Sequence, residues 1–69
     1  MEQNSPTPLA YSVRDAARAL GIGRTRAYEE IRAGRLPIVK VGKRTLVRRV
    51  DAERWLNERA RETAEGVVE

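Results

Sequence analysis

The sequence predicts a small α+β domain: two short helices around a glycine turn, then a two-stranded β-hairpin, then a closing helix. Three observations predict it. Val13, Ala16, Ala17 and Leu20 recur at the spacing of one helical face. Pro37 forbids helix continuation and opens a stretch rich in β-branched residues that runs to Arg49. Ala52, Trp55 and Leu56 then restore a helical stripe behind Asp51. At 69 residues the chain holds one domain, and a domain of that size buries a low fraction of its surface.

Residues 1–10 contain two prolines and no periodicity, and read as a loose arm. Ser12 opens the first helix as its N-cap, three residues before Asp15 in a variant of the capping box. The alanines at 16 and 17 allow a second helix to approach closely, and Gly21 ends the first. A second helix is expected from about Arg24 to Ala33, stopped by Gly34. Its inner stripe is Ala27 and Ile31; Thr25, Tyr28, Glu29 and Arg32 cluster on the opposite side. Two short helices joined by a glycine-containing turn form a helix-turn-helix, and the outer face of the second is its recognition face.

In the hairpin, Gly42-Lys43-Arg44 is expected as the tip. Val39 and Val41 are expected on one face with Thr45 and Val47, and Lys40 and Arg48 on the other. Asp51 is expected to cap a third helix from 52 to about 63, with Ala52, Trp55 and Leu56 buried and Trp55 closing the core. Residues 64–69 are expected to fray. The domain boundaries are therefore 1–10, 11–63 and 64–69.

The net charge is +4, and its distribution is uneven. Residues 35–50 hold six cations (Arg35, Lys40, Lys43, Arg44, Arg48 and Arg49) and no acid, whereas residues 51–69 hold three Arg and six acids. Such a cationic segment attracts polyanions. Twelve of the fourteen cations are Arg, which forks onto phosphate and guanine edges.

Cys and His are both absent, so a disulfide framework, a thiolate zinc site and the usual general base are excluded. No apolar run approaches the roughly 18 residues of a membrane span, and the N-terminus lacks the pattern of a signal peptide. Catalysis is not expected. Glu29–Glu30 and Asp51–Glu53 stand at spacings that do not face each other, Tyr11 and Tyr28 lack an activating base, and a pocket of roughly 300 Å³ is not expected. A small cytoplasmic binding module without a cofactor is what is expected.

Four segments carry a resemblance: Tyr11-Ser-Val-Arg-Asp-Ala-Ala-Arg-Ala-Leu-Gly-Ile, Ala27-Tyr28-X-X-Ile31-X-X-Gly34-X-Leu36-Pro37, Val39-Lys-Val-Gly-Lys-Arg, and Asp51-X-X-X-Trp55-Leu56. Together they resemble the excisionase family of small winged helix-turn-helix proteins, related to the DNA-binding domain of MerR-type regulators, over residues 11–57. The resemblance implies that the second helix enters the major groove of double-stranded DNA and the hairpin wing the neighbouring minor groove. It further implies a recombination directionality factor, which binds cooperative arrays beside a phage attachment site, bends the DNA and helps integrase excise a prophage. Three positions depart from the family pattern: Gly23 where Ser is common, Glu29 where a basic or other polar residue is frequent, and Glu30 where an apolar one is frequent.

The expected DNA contacts on the recognition helix are Arg24, Thr25, Arg26, Tyr28 and Arg32. Arg24 and Thr25 stand at its N-terminus, which suits phosphate. Arg26 flanks the helix within reach of a phosphate or a guanine. Tyr28 divides between core wall and phosphate donor. Arg32 points outward and either forks onto guanine O6 and N7 or pairs with Glu29. Glu29 itself either accepts from a cytosine amino group or pairs with Arg32 or Arg26. On the wing, Lys43 and Arg44 are expected in the minor groove, with Lys40 and Arg48 or Arg49 on flanking phosphates. Arg14 and Arg18, outside the first helix, are expected to be solvated.

The opposite charges of the wing segment and residues 51–69 also predict head-to-tail self-association along DNA. A small phage or prophage MerR-like transcriptional regulator is the principal alternative. MerR-type regulators carry a long coiled coil after the wing, and this chain is too short for one. A protein-only adaptor is the third reading, and would not bind DNA at moderate salt.

Overall fold

The computed structural model describes residues 8–66, with side chains to residue 63. Its order is β1 (Ala10–Ser12), α1 (Val13–Leu20), α2 (Arg24–Arg32), β2 (Val39–Val41), β3 (Arg44–Arg48) and α3 (Arg49–Gly66). This is the small winged helix-turn-helix architecture expected, with one strand more. The sheet has three antiparallel strands in the order β1-β3-β2.

That added strand takes in Ala10, the last residue of the expected arm, while Pro8 and Leu9 belong to neither helix nor strand. Ala10 pairs with Arg48, Tyr11 with Val47 and Ser12 with Leu46. The Arg49 amide also donates to the Leu9 carbonyl at 2.8 Å. Residues 1–7, the rest of the expected arm, lie outside the described residues. Pairing of β1 places the start of α1 directly against the wing.

The helix termini follow local chemistry. Ser12 Oγ accepts from the Asp15 amide at 3.1 Å and so satisfies one orphan donor of α1. At the other end Gly21 takes φ 76°, and the Ile22 amide reaches back to the Ala17 carbonyl at 2.9 Å. Gly34 plays the same part after α2 with φ 83°.

The core is Val13, Ala16, Ala17, Ala27, Leu36, Val47, Ala52 and Trp55, with Tyr11, Leu20, Ile22, Ile31 and Ile38 packed against it. Small residues on both facing helices let α1 and α2 meet closely, as the alanine pattern predicts. Leu56 is a correction: it is 48% exposed rather than buried, because it lies off the side of α3 that turns Ala52 and Trp55 inward.

The hairpin register is a second correction. Val39 lies opposite Leu46, Lys40 opposite Thr45, and Val41 opposite Arg44. Only Gly42 and Lys43 form the tip, with Gly42 at φ 60°, a conformation that two-residue hairpin loops demand. Directly opposed residues share a face. Lys40 therefore sits with Thr45 and Val47, and Val39 and Val41 sit with Arg44, Leu46 and Arg48. A tip one residue shorter than expected moves β2 by one position and reverses every side chain in it.

α3 begins at Arg49 and continues to Gly66, so the expected bounds of 52 and 63 were too narrow at both ends. Asp51 is not the N-cap. It lies inside the first turn, 2% exposed, and accepts from Arg48 Nε at 2.7 Å and the second Arg48 nitrogen at 3.1 Å. Residues 64–66 of the expected frayed tail are helical; residues 67–69 lie outside the described residues.

Candidate nucleic-acid interface

α2 sorts its side chains by angle. Ala27 and Glu30 are buried and Ile31 is partly buried. At about 100° per residue the opposite side carries Thr25, Glu29 and Arg32, with Arg24 and Tyr28 on one flank and Arg26 on the other. Every residue on that outer side is exposed.

The Arg24–Tyr28 flank faces the wing and the start of α1. Arg14, Asp15, Arg24, Tyr28, Arg44 and Thr45, with Ser12 and Val13, line one open groove of about 510 Å³. The expectation that no pocket of a few hundred Å³ would form is thereby corrected, although this one is a surface channel and not an enclosed chamber. A second groove continues past it along Arg14, Ala17, Arg18, Ile22 and Arg24. Arg14 and Arg24 belong to both. Three elements, α1, α2 and the wing, thus share one cation-lined surface. Lys40 lies on the sheet face of Thr45, which borders the first groove. Tyr28 is 49% exposed, so it is both groove wall and accessible hydroxyl.

The other flank is chemically different. Glu30, 2% exposed, accepts from Arg35 Nε at 2.7 Å and from the second Arg35 nitrogen at 3.0 Å. It also accepts from Trp55 Nε1 at 2.9 Å and from Arg59 at 3.4 Å, and Arg26 approaches within 3.4 Å. The Arg35 hydrogen bonds, then that of Trp55, lower the Glu30 pKa from its ordinary 4.5 to about 2 against the opposing cost of burial. Arg59 lies 5.8 Å over the Trp55 ring and also holds Glu62 at 2.8 Å.

The cations expected to meet DNA therefore divide. Arg26 and Arg48 stay more than half exposed but carry partners within the chain: Arg26 meets Glu30 and Arg48 meets Asp51, which Arg54 also approaches at 3.7 Å. Of the six cations in residues 35–50, Arg35 and Arg48 are neutralised within the chain. Among the described residues no ion pair engages Arg14, Arg18, Arg24, Arg32, Lys40, Lys43 or Arg44. These lie on α1, on the outer side and groove flank of α2, and on the wing. A cation without a partner carboxylate keeps its full field for an external anion.

Arg14 and Arg18, expected to be solvated, are exposed, and they line the second groove beside Arg24. Helical periodicity shows which residues leave the core, not which neighbouring element they then face. Glu30 had a clearer signal. It occupies the inner side of α2 next to Ala27 and Ile31, where a carboxylate needs partners, and Arg26 and Arg35 stand four and five residues away.

No helix among the described residues is long and apolar enough to cross a membrane. No curated protein and no solved structure gives a match. A family model described as a helix-turn-helix domain matches residues 10–60, which span both helices, the wing and most of α3. That match covers well over half of the chain, and it coincides with the fold and with a cationic surface suited to double-stranded DNA. The chain belongs to the helix-turn-helix domain family of DNA-binding modules.

Proposed function

We propose that this protein is a sequence-specific architectural DNA-binding protein, a phage or prophage excisionase. It fills tandem sites, bends the duplex and directs integrase towards excision. The observation that carries the DNA-binding part is the groove where Arg24 and Tyr28 of α2, Arg14 of α1 and Arg44 of the wing converge. α2 enters the major groove with Thr25 and Arg32 outward. Lys43 and Arg44 follow the wing into the adjacent minor groove, whose negative potential attracts inserted cations. Arg14, Arg18 and Arg24 hold phosphates that fix the register. No catalytic step is assigned to this chain; bond breakage belongs to integrase.

The excisionase part rests on the resemblance of residues 11–57 to that family. Head-to-tail assembly is supported by exposed Glu53 and Glu58 on α3 and by Lys40, Lys43 and Arg44 on the wing, which no ion pair engages among the described residues. Asp51 contributes nothing to it, since Arg48 occupies its carboxylate.

Footprinting on duplexes enriched from a random pool, followed by gel mobility of circularly permuted fragments, tests the proposal. Tandem sites of one orientation filled cooperatively in phase with the helical repeat, with a bend, are expected. The double variant Glu53→Ala, Glu58→Ala weakens that cooperativity if α3 supplies the contact. Inverted half-sites occupied by a dimer, without tandem filling, point instead to the MerR-like regulator. Failure to shift any duplex at moderate salt overturns DNA binding altogether.

A further inference from the structure

We propose that Glu29 is a specificity-determining residue that accepts a hydrogen bond from the exocyclic amino group of a cytosine in the major groove. This rests on the reading of α2 as the recognition helix. Glu29 is exposed, and lies on the side of α2 opposite buried Ala27 and Glu30, between Thr25 and Arg26 in angle and one turn from Arg32.

Two intrahelical partners were available to it, Arg26 three residues before and Arg32 three residues after. Arg26 is drawn to the other flank by Glu30, at 3.4 Å. Among the described residues no ion pair joins Arg32 to Glu29. The outer face of α2 therefore presents a carboxylate that no ion pair neutralises among the described residues, beside a surface lined mainly by cations.

Against a phosphate backbone such a carboxylate is repulsive. It becomes favourable only opposite a hydrogen-bond donor. The major-groove edges offer two, the amino groups of cytosine and adenine. Adenine sets its amino group beside the N7 acceptor, which suits an amide side chain that both donates and accepts. A carboxylate only accepts, and cytosine answers with a lone donor. The guanine paired with that cytosine presents O6 and N7, the fork that Arg32 is shaped to meet one turn away. Glu29 and Arg32 thus carry complementary halves of a code for G·C.

The test is selection from a randomised duplex pool at one fixed salt concentration, with the native chain, Glu29→Ala and Glu29→Gln. Thermal unfolding of each variant is expected to match the native chain, because residue 29 is exposed. The native chain is expected to enrich cytosine at one position by on the order of tenfold. Glu29→Ala loses that enrichment while keeping the preferences at other positions, and Glu29→Gln shifts the position towards adenine. If Glu29→Ala raises affinity for every sequence alike and leaves the selected site unchanged, Glu29 is only an exposed charge and the proposal falls. If the native chain itself enriches no sequence, specific recognition by α2 fails first and this assignment fails with it.

Discussion

Trp55 donates its indole N–H to Glu30 Oε1 across 2.9 Å, tying α3 to the inner flank of the recognition helix. The two residues are 25 positions apart in the chain. The same oxygen takes Arg35 Nε at 2.7 Å, so one buried carboxylate secures α2, the loop after it and the closing helix. Among the described residues the other long-range side-chain hydrogen bond runs from Arg59 to the same Glu30 oxygen, at 3.4 Å. Removing Glu30 leaves the buried Trp55 N–H unsatisfied, which costs more than the bond itself contributes, whereas removing the indole N–H leaves Glu30 still held by Arg35. Glu30→Leu is therefore expected to destabilise the fold by about 2 kcal/mol even though it adds apolar surface. Trp55→Phe keeps most of the packing and loses only the donor, with a cost of about 1 kcal/mol beyond the small volume change. Urea unfolding midpoints measure both. An unchanged midpoint for Glu30→Leu would show that the carboxylate network is dispensable.

Acid should expose the same network. The Glu30 pKa is lowered from 4.5 to about 2 in the folded chain, chiefly by Arg35 and then by Trp55. A carboxylate with a depressed folded pKa stabilises above its unfolded value, and that contribution fades as pH falls towards the folded one. Stability is thus expected to drop between about pH 4.5 and 2, and Glu30→Gln is expected to flatten that part of the profile. Melting temperature against pH for the two chains is the measurement; parallel curves would assign the acid sensitivity to other carboxylates.

Much of this molecule was readable from residue types. The Ser12 cap, the Gly21 and Gly34 stops and the Ala16–Ala17–Ala27 contact all follow from local rules, because each depends on neighbours a few positions away. What escaped depended on distant chain. β1 is three residues long, too short for alternation to show, and exists because β3 offers it an edge. Gly42 suits a two- or a three-residue tip equally, and only pairing with β3 decides which face Lys40 takes. Arg48 was legible as a cation but not as the partner of Asp51, which the start of α3 brings under it. The outer face of α2 was legible, and so was the cation four residues before Glu30; the groove that Arg14 lines was not.

The addition of Arg14 makes a paired prediction. Arg14 lines both grooves beside Arg24, whereas Arg54 lies on α3 near Asp51. Arg14→Ala is expected to weaken binding to all duplexes alike by several-fold, as loss of a phosphate contact does. Arg54→Ala removes the same formal charge and is expected to leave affinity within about twofold at moderate salt, since separated surface charges are screened. Equal losses in the two variants would mean that net charge, not the groove, governs affinity.

Salt dependence separates contacts that position from contacts that read. Seven cations on α1, α2 and the wing lack an ion pair among the described residues. If about six of them neutralise phosphates, log K should fall against log salt with a slope near −5, and a slope shallower than about −2 would exclude the wing as a contact. Lys43→Ala is expected to reduce the slope by about 1 and to weaken every sequence by the same factor. Arg32→Ala is expected to flatten preference at one base pair, costing about 1–3 kcal/mol on the best site and little elsewhere. The contrast follows from placement. Lys43 occupies the two-residue tip, where a single ammonium meets backbone phosphate or the groove floor without distinguishing bases. Arg32 stands on the outer side of a rigid helix, where a planar fork is held at a fixed height against base edges. Titrations of each variant on the selected duplex and on a scrambled one, at three salt concentrations, resolve the two behaviours. Identical behaviour of the two variants would remove the division of labour between helix and wing.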